Sequence, residues 1–455
     1  MASQPNRDHS IEMAKKLIKN CDTLSFAKGE AEVIDRQDIL INKNAIEAVG
    51  NTGTLQVSPD IEVIDASGLM AVPGFMNTHA HTPMVLFRNL AEDVSQKEWF
   101  NDYIWPMESN LTEEDVYWGM QLGMAEMIEN GVTSVADHYF NVDHIARAVE
   151  TVGMRANLVW AVFGHQGENK LDETIDFINR WQGGAGGRIT TWLGPHAPYT
   201  TGPEFLKLSA EKAAKNNIGI HIHVSETANQ VALSLKEFGI TPVKMLKEAG
   251  VLDVPTILGH CLYPQGDDFD ILAASPTGIA QAPRTYMKHG SGLAPILKYL
   301  ELGIPVGLAT DGAASNNTMD IMEQMRLLPM FVKYQASDPT IMPMHQVVDI
   351  AFRGSARVLK HEGRLGELGA GMLADITLIR QDGLHMTPRA NPLAALVYCA
   401  RGTDVDTVIC DGKVLMRGRK LLTIDKDAVR KEVQARLSRL SQRVPNARIA
   451  FYPTL

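Results

Sequence analysis

Short apolar segments alternate with longer helical ones from residue 70 to residue 311, and this alternation limits the fold more than any other feature of the sequence. Eight of the apolar segments are predicted to be β-strands: 71–79, 132–138, 154–163, 188–194, 218–224, 255–260, 277–281 and 305–311. Alternation of strand and helix is typical of parallel βα units. Eight such units over roughly three hundred residues predict a closed (β/α)8 barrel, that is, a TIM barrel of the α/β class.

The two ends of the chain have a different pattern. Residues 16–67 and the residues after 365 contain short β-like runs separated by turn residues, and only a final stretch, 427–443, has a helical composition. Short runs of this kind are typical of antiparallel strands. We predict that residues 1–69 and 366–455 together form a small β-sandwich domain with a C-terminal helix, beside a barrel of residues 70–365.

Charge and cysteine usage exclude several classes of protein. The net charge is −10, and the basic residues form no block. An acidic chain of this kind lacks the positive surface that binds nucleic acid or anionic membranes, so we expect a small-molecule substrate instead. No apolar run is long enough to cross a bilayer, and the N-terminus has no apolar signal core. The four cysteines show no C-x-x-C spacing, which predicts reduced thiols in a cytoplasmic protein.

Histidines and acidic residues cluster where the predicted strands end. They follow strands one, five, six and eight, and they are His79, His81, His221, His223, Glu226, His260 and Asp311. Residues i and i+2 of a strand point to the same side, so each H-x-H pair can direct two imidazoles at one point. A lone histidine is more often a core residue, and a lone aspartate after a strand is more often a helix cap. Their coincidence at one end of a barrel, where such enzymes carry their active sites, predicts a metal site.

Several motifs in this order resemble a known family. PGFMNTHAH, GPHAPYT, HIHVSET, GHC and ATDGAASNN, followed by GELGAGMLADITLI at 366–379, are similar to the methylthioadenosine/S-adenosylhomocysteine deaminases of the amidohydrolase superfamily. Two-metal members of that superfamily commonly use a lysine from strand four. Strand four here, RITTWLG, has none, which favours a single metal ion. Nitrogen and carboxylate ligands without sulfur suit Zn²⁺, with Fe²⁺ or Mn²⁺ as alternatives.

The resemblance implies a role for each residue at the strand ends. The implied metal ligands are His79, His81, His223 and Asp311. Asp311 would also act as the base, Glu226 as the proton shuttle, and His260 as the group beside the attacking water. His221 is interpreted as structural.

The resemblance also implies contacts with the substrate. His196 matches a residue that contacts the purine ring, Trp99 a wall residue, and Glu108 a carboxylate that binds ribose hydroxyls. Trp160 stands where the bacterial enzymes would place an arginine for an amino-acid carboxylate. An indole cannot make that bidentate pair, so Trp160 argues against S-adenosylhomocysteine as the substrate.

One segment departs from the family pattern. Residues 282–289 read APRTYMKH, with a bulky Tyr286 where a small amide is usual and with an added Arg284. This departure leaves the substrate open. We expect hydrolytic deamination of an aminopurine nucleoside, such as adenosine or methylthioadenosine, with release of ammonia. The alternatives are the same fold acting on guanine, a pterin or an s-triazine with an amine or chloride leaving group, and a non-catalytic metal-binding barrel. The sequence leaves open whether the chain forms a homo-oligomer.

Overall fold

The structure, a computed structural model, describes residues 15–444 and 447–453. The described strands are, in chain order, β1 (Lys16–Ser25), β2 (Glu32–Asn42), β3 (Ala45–Asn51), β4 (Glu62–Asp65), β5 (Leu69–Pro73), β6 (Phe75–His81), β7 (Val132–Tyr139), β8 (Arg155–Val162), β9 (Ile189–Pro195), β10 (Ile220–Val224), β11 (Thr256–His260), β12 (Thr277–Gln281), β13 (Val306–Leu308), β14 (Asp311–Gly312), β15 (Ile376–Arg380), β16 (Val405–Cys410), β17 (Lys413–Arg417) and β18 (Lys420–Leu421).

Helices separate the strands of the central region, as expected for βα units. The longer helices are Glu113–Glu129, Val142–Val152, Gly167–Trp181, Pro203–Asn216, Ala228–Phe238, Ile321–Ala336 and Lys426–Leu440. Shorter helical segments include Gln96–Glu98, Trp99–Ile104, Trp105–Glu108, Pro198–Thr201, Pro242–Glu248, Asp268–Ala273, Pro283–Lys288, Ile296–Glu301, Ala313–Asn316, Met344–Asp349, Ile350–Gly354 and Ser355–Val358.

The central strands form a closed ring. Strands β6 to β12 pair in chain order, and every pair is parallel. The eighth strand of the ring is split: β13 pairs with β12, and β14 pairs with β6. The predicted (β/α)8 barrel is confirmed. The ends of β6, β10, β11 and β14 therefore face one another, which is where the sequence places its histidines and Asp311.

The first predicted strand, 71–79, is wrong in its extent. It divides at Gly74 into β5, which belongs to the other sheet, and β6, which belongs to the barrel. A Cβ atom at Gly74 would lie 2.2 Å from Oγ1 of Thr133, so the close approach of β7 requires a glycine there. The apolar run AVPGF conceals this division because both strands are buried.

The second sheet joins the two ends of the chain, as predicted. Its order is β18-β17-β16-β15-β5-β1-β2-β3, with β4 paired to β1, so β15 joins the C-terminal strands to the N-terminal ones. Twelve buried side chains on and beside these strands, including Ile18, Ile39 and Ile376, form a hydrophobic cluster separate from the barrel core. The predicted sandwich is thus one hydrogen-bonded sheet with its own core. The division of the chain at residues 70 and 365 stays a prediction.

The C-terminal helix packs on the barrel. Arg439 on helix Lys426–Leu440 places Nη2 2.6 Å from both carboxylate oxygens of Asp115, at the start of helix Glu113–Glu129. Thr112 and Asp115 form the capping box that begins this barrel helix. Within residues 15–444 and 447–453, no helix has the length and apolar character to span a membrane.

Candidate active site

An open cavity lies at the carboxyl ends of the barrel strands, with about 780 Å³ of space when the solvent at its mouth is included. Eight of the side chains predicted for the site line it: His81, Trp99, Glu108, His196, His223, Glu226, His260 and Asp311. His79 lies directly behind this wall and is fully buried. Its ring centroid lies 4.9 Å from that of His81 and 4.8 Å from that of His223. The barrel thus brings together residues that are far apart in the sequence.

The rings of His81 and His223 face each other through their Nε2 atoms. Nδ1 of His81 lies 2.6 Å from the backbone carbonyl of His138, and Nδ1 of His223 lies 2.7 Å from that of His196. A carbonyl only accepts, so both Nδ1 atoms carry a hydrogen. In the neutral rings both Nε2 atoms then present lone pairs to each other, at a distance of 3.2 Å. A positive charge is required between them.

A third histidine and a carboxylate converge on the same point. Oδ1 of Asp311 lies 3.3 Å from Nε2 of His81 and 3.6 Å from Nε2 of His79. Nδ1 of His79 lies 2.8 Å from Nε2 of His221, which leaves the buried Nε2 of His79 without a hydrogen-bond partner among the described residues. A single proton can bridge only two of these atoms. A divalent cation can bind all of them, and this set of nitrogen and oxygen donors fits one.

Burial keeps two imidazoles of the cluster neutral, with free lone pairs, while the Asp311 carboxylate supplies a negative charge beside them. Burial lowers the pKa of His79 to about 3 and lowers that of His223 well below its ordinary value. Burial has the same effect on His81, but the Asp311 carboxylate outweighs it and raises the pKa of His81 to about 9. Burial raises the pKa of Asp311, but the neighbouring imidazoles of His79 and His81 outweigh burial and hold it well below its ordinary value. The carboxylate is therefore ionised.

The backbone is strained at two strand ends of the site. His260 has a φ of +71° and Asp311 a φ of +60°. Both values lie in the left-handed region, which residues other than glycine adopt less often. Ser225, which follows β10 and precedes Glu226, has a φ of +46°. Positive φ values also occur far from the cavity, for example at Arg36 and Ser337, so this conformation shapes the strand ends but does not identify the site.

Glu226 is held at the edge of the cavity by two glutamines. Nε2 of Gln96 donates to Oε1 of Glu226 over 2.9 Å, and the side chain of Gln230 contacts both the carboxylate and the backbone of Glu226. Burial raises the pKa of the Glu226 carboxyl above its ordinary value. A carboxyl group in this environment is suited to holding a proton and then giving it up.

Tyr286, one of the departures from the family pattern, lies against His260. Its hydroxyl accepts from the backbone N–H of Ala282 over 3.0 Å and lies 3.3 Å from Nδ1 of His260. The tyrosine is fully buried and lines the cavity. The other departure, Arg284, does not line the cavity and forms an ion pair with Glu323. Tyr286 therefore fixes the orientation of the His260 ring, whereas Arg284 belongs to the surrounding surface.

The three predicted substrate contacts, Glu108, Trp99 and His196, also line the cavity. Glu108 accepts a hydrogen bond of 2.7 Å from the hydroxyl of Tyr139, and burial raises its pKa to about 7. Nε1 of Trp99 is buried and has no partner within the described parts of the chain. His196 lines the cavity and places Nδ1 2.9 Å from Oγ1 of Thr200. All three are available to a bound molecule.

The structure corrects the expectation for Trp160. Its ring packs against Phe177 on helix Gly167–Trp181, and Nζ of Lys170 lies 3.7 Å above it. The next residue, Ala161, lines the cavity instead. Because adjacent residues of a strand point to opposite faces, Trp160 lies on the outer side of the barrel and has no contact with a bound substrate.

Sequence reasoning missed His138. This residue lines the cavity, is 1% exposed, and has no partner among the described residues for either ring nitrogen. It is the last residue of the second predicted strand, 132–138, so the rule that places chemistry at strand ends could have found it.

Comparison with known proteins identifies the family. The model of the amidohydrolase family matches residues 70–415. The chain belongs to the amidohydrolase family. Two relatives of this amidohydrolase are the 5-methylthioadenosine/S-adenosylhomocysteine deaminases of Desulforudis audaxviator and Pelotomaculum thermopropionicum. The first is 41% identical over 90% of this chain and 95% of the relative, and the second is 41% identical over 95% and 100%. The family resemblance read from the motifs is confirmed.

Solved structures share the fold over most of the chain. An adenosine deaminase from Xanthomonas campestris with bound zinc is 25% identical, with a TM-score of 0.89 over 93% of this amidohydrolase and 98% of that chain. An atrazine chlorohydrolase from Arthrobacter aurescens complexed with zinc is 23% identical, with a TM-score of 0.85 over 93% and 100%. The second likeness supports the fold alone.

Proposed function

We propose that this amidohydrolase is a metal-dependent hydrolytic deaminase of an aminopurine nucleoside, such as adenosine or methylthioadenosine, and that it releases ammonia. The observation that carries the proposal is that the Asp311 and Glu226 carboxyls line one cavity with the imidazoles of His81 and His223, and that the His79 imidazole packs directly behind them. The imidazoles and the Asp311 carboxylate can bind a cation, and the Glu226 carboxyl can transfer a proton. The names of the relatives and of the adenosine deaminase structure support the substrate class.

His79, His81, His223 and Asp311 would hold one divalent cation, which we propose to be Zn²⁺, with Fe²⁺ or Mn²⁺ as alternatives. When such an ion is bound, it lowers the pKa of water from 15.7 to about 7 and so supplies a nucleophile at neutral pH. His221 would support this arrangement, because its Nε2 atom lies 2.8 Å from Nδ1 of His79 and fixes that ring.

The side chains of the protein would then move protons in the reaction. Asp311 takes a proton from the attacking water, whose oxygen forms a bond to the ring carbon that bears the amine. Glu226 gives its proton to the adjacent ring nitrogen, so that negative charge does not accumulate there. The proton held by Asp311 passes to the amine, the carbon–nitrogen bond breaks, and ammonia leaves. The oxygen's remaining proton passes to Glu226, which restores that carboxyl, and the ring keeps the oxygen as a carbonyl.

His260 would stabilise the attacking oxygen, and two glutamines would position the Glu226 carboxyl. If the Tyr286 hydroxyl donates to Nδ1 of His260, then Nε2 of His260 carries the hydrogen and can donate to the attacking oxygen. Gln96 and Gln230 hold the Glu226 carboxyl in place. Positioning of this kind lowers the entropic part of the barrier.

Three further cavity-lining residues would recognise the nucleoside. Glu108 would accept hydrogen bonds from ribose hydroxyls, Trp99 would pack against the ligand, and His196 would contact the purine ring. Because Trp160 lies outside the cavity, it gives no reason to exclude S-adenosylhomocysteine.

Measurement of ammonia release tests the proposal. The substrates are adenosine, methylthioadenosine, S-adenosylhomocysteine, guanine, a pterin and amino- and chloro-s-triazines, with chloride release measured for the last. We expect turnover of at least one purine nucleoside, its loss with a chelator, and recovery with zinc. Turnover of guanine, the pterin or a triazine, without turnover of any purine nucleoside, would show that the proposed substrate class is wrong. A protein with full metal occupancy and no turnover would be a non-catalytic barrel.

The proposed location is the cytoplasm. All four cysteines are free, and three of them, Cys21, Cys261 and Cys410, are buried. Free thiols are usual in a reducing compartment. Fractionation of the source cells would test this, and recovery of the protein outside the cytoplasm would contradict it.

A further inference from the structure

Residues 447–453, which we call the C-terminal tail, end beside the active site. Tyr452 in this tail is 2% exposed, whereas its neighbour Phe451 is 58% exposed. The side chain of Asn101 binds the backbone of Tyr452 on both sides: Nδ2 donates to the tyrosine carbonyl over 3.0 Å, and Oδ1 accepts from its N–H over 2.9 Å. Asn101 is itself 3% exposed, so the tail is held at this residue by a buried amide.

The side chain of Tyr452 binds a second segment. Its hydroxyl lies 2.9 Å from Oγ1 of Thr227, the residue that follows Glu226 and caps helix Ala228–Phe238. Nδ2 of Asn229 also donates to the carbonyl of Pro453 over 3.0 Å. The tail therefore contacts the beginning of the helix that immediately follows Glu226.

The two segments that the tail joins both face the cavity. Residues 96–105 contribute the cavity-lining side chains Gln96, Trp99, Phe100, Ile104 and Trp105, and Glu226 precedes the other segment. The Phe100 ring lies between the cavity and the tail, stacked on Tyr452 with ring centroids 5.1 Å apart and planes 5° apart. Gln96 donates to the carboxylate of Glu226. Displacement of residues 96–105 would release that bond.

We propose that Tyr452 is a positioning residue, which fixes residues 96–105 against residues 226–230 and so sets the place of the Glu226 carboxyl. The tail contributes no reacting group. It acts through Asn101 on one side and through Thr227 on the other, so that the wall of the cavity and the proton-transferring carboxyl form one unit. The part that concerns catalysis rests on the proposed role of Glu226 in deamination.

Three variants separate this role from packing alone. Tyr452→Ala removes the ring and the hydroxyl, Tyr452→Phe removes only the hydroxyl, and Phe451→Ala is the control at the exposed neighbour. We expect Tyr452→Ala to lower kcat by about 10- to 100-fold, as misplacement of a catalytic group by about 1 Å does. Tyr452→Phe loses one hydrogen bond, which corresponds to a fall of about 2- to 12-fold. Phe451→Ala should stay within about twofold of the wild type, and all three should keep the wild-type metal content.

A double variant shows whether the effect passes through Glu226. In Glu226→Gln the proton-transferring group is already absent, so adding Tyr452→Ala should change kcat by less than about twofold. A loss as large as that seen in the wild-type background would overturn the proposal, because the tyrosine would then act on something other than Glu226.

Hydrogen exchange tests the tail independently of the reaction. In Tyr452→Ala, amide exchange should become faster in residues 96–105 and 226–230, whereas Phe451→Ala should leave both segments unchanged. Unchanged exchange in Tyr452→Ala would overturn the proposal even if activity falls. If the wild type deaminates none of the substrates, the proposed function fails, and this exchange experiment still decides the role of the tail. If Tyr452→Ala does not fold, Tyr452→Phe carries the test, with faster exchange expected in residues 226–230.

Discussion

Two clusters of buried polar side chains lie at opposite ends of the barrel, and they differ in whether the protein satisfies them. At the amino end of β8, the guanidinium of Arg155 donates to Asp375 over 3.1 and 3.3 Å and to Asp411 over 2.9 Å. The N–H of Asp411 in turn donates to Asp375 over 2.8 Å. These three side chains join the barrel to the second sheet, and Nη1 of Arg188, 4.0 Å from Oδ2 of Asp411, supplies a second positive charge.

The cluster at the carboxyl end leaves its polar atoms facing one another. Nε2 of His81 faces Nε2 of His223 at 3.2 Å, and Nε2 of His79 and both ring nitrogens of His138 have no partner in the part of the chain that the structure describes. Buried polar groups are normally paired, so an unpaired set marks a place where something else binds. The comparison teaches that buried charge alone does not identify a functional site, whereas several unpartnered imidazole nitrogens gathered around one carboxylate do.

Asp311→Ala is the variant expected to have the largest effect. It removes the only carboxylate of the proposed metal ligands, and we expect both bound metal and turnover to fall below detection. Asp375→Ala is the control from the other cluster, and it should lower thermal stability while the folded protein keeps its metal. In both variants, elemental analysis measures bound metal and the ammonia assay measures turnover. Full metal occupancy in Asp311→Ala would show that Asp311 is not a metal ligand.

Glu226→Gln should separate metal binding from proton transfer. Glutamine keeps the size of the side chain but cannot give up a proton as the carboxyl does, so kcat should fall by about 10²- to 10⁴-fold. Metal content should remain that of the wild type, because Glu226 is not among the proposed ligands. An active Glu226→Gln enzyme would refute its role as the proton donor.

Arg155→Met tests the satisfied cluster. The change leaves Asp375 and Asp411 buried without their cation, which typically costs about 3–5 kcal/mol of unfolding free energy. Denaturant unfolding of the variant and the wild type measures this. Metal content and kcat of the folded variant should stay within about twofold of the wild type. Loss of metal at unchanged stability would mean that the two ends of the barrel are not separate in function.

Arg284→Gln should have the smallest effect. The ion pair between Arg284 and Glu323 is partly exposed, at 31% and 28% of the two side chains, and such pairs are worth less than about 1 kcal/mol. We expect kcat/KM for the best substrate to change by less than about twofold. A change above tenfold in steady-state assays would show that this departure from the family pattern acts on the substrate.

Much of the site could be predicted because its residues follow a local rule. His79 and His81, and His221 and His223, are spaced so that both members of a pair share one face of a strand, and they occur where strands end. The barrel then brings the strand ends together. The number of strands could be predicted for the same reason, since each strand is a short apolar run between helices.

The remainder depends on contacts that no local pattern records. The position of Trp160 was carried over by resemblance, but the parity of β8 turns Ala161 to the cavity and Trp160 away from it. The division at Gly74 depends on the approach of Thr133. Tyr452 reaches Thr227 across 225 positions of sequence, so only the folded chain shows that the tail contributes to the site.

X-ray diffraction at the zinc absorption edge, on crystals of protein reconstituted with zinc, tests the central claim most directly. The account predicts one anomalous peak per chain, about 2.0–2.2 Å from Nε2 of His79, His81 and His223 and from a carboxylate oxygen of Asp311. A well-folded, reconstituted protein without a peak there, or with the ion bound elsewhere, would contradict it.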